Sequence, residues 1–124
     1  MASHAEGEFT YATVKDSHAE GYYTRAEGEA AHAEGYGSKK KPVVASGIGA
    51  HAEGCQTKAN AKYSHAEGHN TEASGIGAHA EGYQTKANAD YSHAEGSNTI
   101  TVYIDPNTNI VHGGPSAHAE GQNT

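Results

Sequence analysis

Small and polar side chains alternate along most of this chain at a spacing of two, and the alternation restarts every fourteen residues. Around His51 the small positions are Ala50, Ala52 and Gly54, then Thr57, Ala59 and Ala61. His51, Glu53, Lys58 and Asn60 fall between them. A period of two is the pattern of a β-strand, and each unit holds two such stretches separated by Gly-containing corners. No 3.6-residue apolar stripe runs through the sequence, and each interior Gly would cost a helix roughly 1 kcal/mol relative to Ala. The pattern predicts an all-β solenoid in which each fourteen-residue unit is one rung.

The rungs are marked by the tetrapeptide HAEG, preceded by Ser or Ala. Its histidines are His4, His18, His32, His51, His65, His79, His93 and His118, at spacings of 14, 14, 19, 14, 14, 14 and 25. The period is thus 14 with two insertions, and a repeat of this kind decides the architecture before any local reading. Six residues after each His stands Thr10, Thr24, Ser38, Thr57, Thr71, Thr85, Thr99 or Thr124. Two places further come Ala12, Ala26, Ala59, Ala73 and Ala87, with Ala45 in that role after the first insertion. These small residues are expected to point inward, together with the Ser or Ala, the Ala and the Gly of the pentapeptide. Residues 45–72 match 73–100 at all but four of 28 positions, which reads as duplication of a two-rung unit.

Composition agrees with thin stacked layers. The 124 residues include 16 Gly, one Phe, one Met and no Trp, too few large apolar side chains for a conventional core. A chain of this kind either stays disordered or stacks repeated layers, and the strict repetition favours stacking. The net charge of −7 argues against nucleic acid, whose phosphates need a basic face. Lys39, Lys40 and Lys41 form the single basic cluster, expected in a solvated loop. Cys55 stands alone, so no disulfide framework exists, and no apolar run approaches a membrane span. No charged-then-apolar leader follows Met1, so no export signal or anchor is visible.

If Ala52 and its equivalents face inward, His and Glu of every HAEG face outward. Rungs stacked about 4.8 Å apart would then form a ladder of His4, His18, His32, His51, His65, His79, His93 and His118. Beside it would run a ladder of Glu6, Glu20, Glu34, Glu53, Glu67, Glu81, Glu95 and Glu120. Outward positions of the second strand vary freely (Arg25 and Glu27, Lys58 and Asn60, Glu72 and Ser74, Lys86 and Asn88), as a solvated face allows. The constant face is expected to meet a repeated partner surface.

The small-x-Ala-x-Gly strand followed by Thr-x-Ala-x-Gly/Ala resembles the head repeats of trimeric autotransporter adhesins. It is similar also to the SHAEG-type repeats of bacteriophage tail fibre and spike proteins. The resemblance covers about 4–35, 45–99 and 117–124. It implies a left-handed parallel β-roll with three chains side by side and the HAEG strand toward the trimer axis. Adhesin heads usually carry Val and Ile at the two outward positions of that strand. His and Glu there imply a polar, hydrogen-bonded interface instead.

The chemistry of the ladder then has a structural reading. Interchain His–Glu hydrogen bonds would satisfy both groups, and stacked carboxylates would hold some histidines protonated with raised pKa values. On that expectation the assembly loosens at high pH, when the imidazolium is lost, and again in strong acid. Three symmetry-related histidines per level could hold a transition ion, with His51, His65, His79 and His93 as the first ligands to consider. With one His per strand the expectation is no bound metal and no cofactor. HAEG is not the His-Glu-x-x-His of zinc peptidases, and equivalent pairs on flat strands make no single pocket, so no enzyme activity is expected.

Two insertions interrupt the rungs. The first, about 37–42, carries three Lys and Pro42 and reads as a loop bulging from a corner. The second spans 100–115, where "ITVYI", turn residues "DPNTN" and "IVH" predict a β-hairpin. Its Val102, Tyr103, Ile104, Ile110 and Val111 are expected to pack against neighbouring chains. A final partial rung occupies 116–124, so the domain order is rungs 1–99, hairpin, last rung. The expected function is a trimeric shaft or head segment of a bacterial surface adhesin or phage tail fibre. It would act as a rigid spacer, with a host receptor or surface as a further partner, outside the cell or on a virion. The alternative is a self-assembling subunit of an extracellular filament, since the repeat starts at Ser3 and stops within a rung at Gln122–Thr124.

Overall fold

The computed structural model of the chain describes residues 2–104, 106–109 and 111–124, and of Tyr103, Ile104, Val111 and His112 the backbone alone. The predicted hairpin contact Ile110 therefore lies outside the described residues, as do the side chains of Tyr103, Ile104 and Val111.

The chain is an all-β solenoid of stacked parallel strands. One sheet is made of eight five-residue strands, each starting at a HAEG histidine, from His4–Glu8 to His118–Gln122. A second sheet stacks six short strands, among them Thr24–Ala26, Val43–Ala45, Glu72–Ala73 and Lys86–Ala87. Every neighbour in both sheets is parallel and in register, so His51 pairs with His65, Ala52 with Ala66 and Glu53 with Glu67. Any slip of register by one residue would turn His and Glu into the core, which fixes the pairing.

The two sheets close on a core of alanine and hydroxyl side chains. Ala19, Ala33, Ala52, Ala66, Ala80 and Ala94 of the first sheet face Ala26, Ala45, Ala59, Ala73 and Ala87 of the second, all fully buried. Thr24, Thr57, Thr71, Thr85 and Thr99 complete the inner column of the second sheet. The leading Ser of SHAEG adds a contact beyond its small size. The hydroxyls of Ser17, Ser64 and Ser92 donate to the carbonyls of Val14, Ala61 and Ala89 at 2.6, 2.7 and 2.6 Å, closing the corner before each strand.

Two expected inward positions are corrected. Counting six residues from His32 gives Ser38, yet Val43 occupies the inner column, in register with Thr24 and fully buried. The added residues enter between the two strands of the rung, so the count runs through a loop. Ser38–Lys41 forms that loop, with the Ser38 N–H donating to the Lys41 carbonyl at 2.9 Å. The motif glycines are the second correction, since Gly21, Gly54, Gly68, Gly82 and Gly96 are exposed rather than inward. Gly68 has a φ of +107°, and a Cβ there would run into the carbonyl oxygen of Gly82. Its missing side chain serves the stacking of backbone on backbone.

The 28-residue superperiod also has a packing cause. At one corner the left-handed position is held in turn by Gly49, Tyr63, Gly77 and Tyr91, with φ of 62°, 60°, 63° and 58°. A Cβ on Gly49 would lie 3.1 Å from the Tyr63 ring, and one on Gly77 would lie 3.1 Å from the Tyr91 ring. Each tyrosine covers the glycine of the preceding rung, so large and bare residues alternate.

Within the 100–115 segment, the first two residues still belong to the stack. Ile100 still bridges Lys86 in parallel, and buried Thr101 takes the next inward place. Tyr103–Ile104 and Val111–His112 pair antiparallel, with Tyr103 opposite His112 and Ile104 opposite Val111. Ala117 N–H donates to the Gly114 carbonyl at 3.1 Å, the same corner bond that Ser92 makes to Ala89. The stack thus resumes by Gly114.

Candidate functional site

The outward face of the eight-stranded sheet is the candidate site, because parallel in-register stacking turns one motif into continuous columns. The imidazoles of His18, His32, His51, His65, His79 and His93 stack on their successors with centroids 4.7–5.0 Å apart and planes within 12°. At the edge rung His4 departs from the stack, its ring tilted 74° to that of His18. Central His and Glu side chains are about one-third exposed, for example 35% for His51 and 33% for Glu53.

The Nε2 atoms of His51, His79, His93 and His118 each lie between two carboxylates, one on the same strand and one on the strand before. His51 Nε2 is 3.3 Å from Glu34 Oε1 and 3.7 Å from Glu53 Oε2. His79 repeats the arrangement with Glu67 at 3.4 Å and Glu81 at 3.7 Å. The His–Glu contacts expected between chains are therefore already made within one chain. The rung spacing accounts for this, since neighbouring motifs come closer than two side-chain lengths.

Within the same columns, His18, His32, His65 and His93 differ from their neighbours. Their Nε2 atoms are buried yet have no hydrogen-bond partner, with the facing carboxylates at 3.6–3.8 Å. Sets of two histidines and one glutamate converge closely enough to share a cation. The groups His32, Glu34, His51 and His65, Glu67, His79 each bring their ligand atoms within 4.8 Å of one another. His79, Glu81 and His93 form an overlapping set.

The protonation expected from sequence is also corrected. Burial first, and then the adjoining imidazoles, push His32, His65 and His79 below the ordinary histidine range. Two stacked imidazolium ions would repel, which favours the neutral ring at His32, His65 and His79. Among the glutamates, Glu67 holds a proton more tightly than usual. Shared hydrogen bonds with Glu53 and Glu81 raise Glu67 to about 7, while Glu53 and Glu81 themselves are lowered. Like charges stacked at rung spacing cannot all ionise independently, and a carboxylic acid between two carboxylates can donate its one O–H to either of them.

Beside the glutamates runs a shallow groove floored by the motif glycines, including Gly68, Gly82 and Gly96. The fifth position of each strand, which the periodicity left without a role, forms a third outward column. Tyr22 stacks on Tyr36 at 5.2 Å and His69 on Tyr83 at 5.1 Å, with Cys55 half-buried between the two pairs. No helix among the described residues is long and apolar enough to cross a membrane.

Compared with known proteins, the chain matches no protein-family model, no curated protein and no solved structure. The functional reading therefore rests on the geometry of this face.

Proposed function

We propose that the chain is a structural segment of an extracellular fibre, in which the HAEG sheet of one copy packs against the same sheet of two others. The observation that carries this reading is the uniform face: eight in-register strands present His and Glu at every level, partly exposed and uncovered by other described residues. A surface that repeats at rung spacing matches a partner that repeats at the same spacing, and a second copy of this chain is the simplest such partner. The exposed glycine column beside it leaves room for close approach. In this reading the assembly is a trimeric left-handed β-roll, as the adhesin-head and phage-fibre resemblance implies. It acts as a stiff spacer of a surface adhesin or tail fibre, has no catalytic role, and leaves the variable second sheet toward solvent or a receptor.

Sedimentation equilibrium with electron microscopy of the untagged protein tests the proposal. The expected result is a discrete particle of three times 12.8 kDa. A monomer at all concentrations overturns the reading, and long unbranched fibres replace it with head-to-tail filament assembly.

A further inference from the structure

The geometry points to a further role for the ladder: each chain carries built sites for divalent transition ions of the zinc class, formed by two histidines and one glutamate from successive rungs. Two sites use separate residues, His32, Glu34 and His51 in one, and His65, Glu67 and His79 in the other. They lie within one chain and so do not depend on the trimer proposed above.

Two independent observations support the assignment. The first is spacing. Ligand atoms on one tetrahedral zinc, with metal–ligand bonds of about 2.0–2.1 Å, stand about 3.3 Å apart. His51 Nε2 and Glu34 Oε1 are 3.3 Å apart, and His79 Nε2 and Glu67 Oε1 are 3.4 Å apart. The third ligand of each site is within 4.8 Å of the others, a gap that tilting of the stacked rings can close.

The second observation is the orphaned nitrogens. In each site one histidine bonds the glutamate, and the other, His32 or His65, has a buried Nε2 with no hydrogen-bond partner, the facing carboxylate of the strand before standing at 3.8 or 3.6 Å. A buried acceptor or donor without a partner costs free energy that a coordinated ion would remove. An ion also neutralises the stacked carboxylates, which otherwise repel along the column. The donor set of imidazole nitrogen and carboxylate oxygen, with a fourth position open to water, suits zinc and its neighbours in the series.

The test uses the untagged, chelator-stripped full chain and zinc alone. Equilibrium dialysis gives the ions bound per chain, and X-ray absorption of the zinc complex gives the ligand shell. The proposal expects histidine nitrogen in the first shell. It also expects a loss of two ions per chain in the double variant His51→Gln, His79→Gln, which disables both separate sites and the overlapping one. An oxygen-only shell, no retained zinc, or the same stoichiometry in the variant would each overturn it. The absorption spectrum of the unsubstituted chain keeps the test decisive if the variant misfolds. Sedimentation of the same samples separates the two proposals, because zinc held by monomers would support the sites and sink the trimer.

Discussion

His51 and Glu34 meet across a rung boundary, Nε2 to Oε1 at 3.3 Å, although 17 residues separate them in sequence. The same contact recurs as His79 with Glu67 at 3.4 Å, so the outward face is a charge ladder internal to one chain. Its stability should follow from how that ladder titrates.

With metal removed by chelator, thermal stability should be level from about pH 7.5 to 9, where none of the shifted ladder groups titrates. Glu67, faced by Glu53, Glu81, His65 and His79, is raised to about 7. Its contribution is complete below 4.5 and is lost as pH rises toward 7. His32, His65 and His79 are lowered, so theirs is complete above 6.5 and is lost as pH falls. Between those limits the two trends oppose each other. Below 4.5 the lowered Glu53 and Glu81 also lose their contribution, and stability should drop steeply. Circular-dichroism melting across pH 3–9 checks this, and a marked fall between pH 7.5 and 9 would restore the protonated-histidine picture.

Thr71→Val should stabilise the protein by about 1 kcal/mol, because a buried hydroxyl without a partner is replaced by a methyl of the same shape. The Thr71 Oγ1 is buried and makes no hydrogen bond, and the same holds for Thr57 and Thr85 above and below it. The chain already carries valine in this column at Val43. Urea unfolding should show a higher midpoint with an unchanged slope. A lower midpoint would mean that the hydroxyl does find a partner in the folded protein.

Val43 also shows where reading from sequence alone stops. The HAEG spacing reveals the rungs, the in-register sheet and the outward His and Glu, because each follows from a strict period. It does not reveal where inside a rung an insertion enters, so Ser38 stands in the count where Val43 stands in the fold. The exposure of Gly54 and Gly68 has a similar origin. Alternation alone places them inward, but a positive φ turns the backbone before the alternation is complete. The proton distribution was the least legible feature. It depends on imidazoles stacked 4.7–4.8 Å apart, which is a property of neighbouring rungs rather than of the motif.

Gly68→Ala should cost about 3 kcal/mol or more, since strain at positive φ adds to a clash with backbone that cannot move alone. The Cβ would meet the carbonyl oxygen, nitrogen and carbon of Gly82 in the next rung. Gly114→Ala is the matched control. Nothing lies within 4 Å of a Cβ there, and its φ is not in the left-handed region. That change should be neutral or stabilise by up to about 1 kcal/mol through the unfolded chain. Equal losses in the two variants would count against the backbone-on-backbone stacking of the motif glycines.

Thr101→Ala tests how the stack survives the hairpin. In the regular rungs the Asn60 and Ser74 N–H groups donate to the carbonyls of Ala73 and Ala87, both at 2.9 Å. At the next level the chain leaves for the hairpin, and Asn88 N–H donates instead to the Thr101 hydroxyl at 3.0 Å. That hydroxyl in turn donates to Ser92 Oγ at 3.1 Å, and Ser92 holds its corner through Ala89. Alanine would fill the usual inward place of the column yet leave the Asn88 amide without its acceptor. Because Asn88 itself is exposed, the expected loss is about 0.5–1.5 kcal/mol, the net worth of one hydrogen bond. Hydrogen exchange gives the sharper readout, because Asn88 should lose protection while Asn60 and Ser74 keep theirs. Unchanged protection at Asn88 would mean that its acceptor is the backbone, as in every other rung, and that the hairpin interrupts nothing.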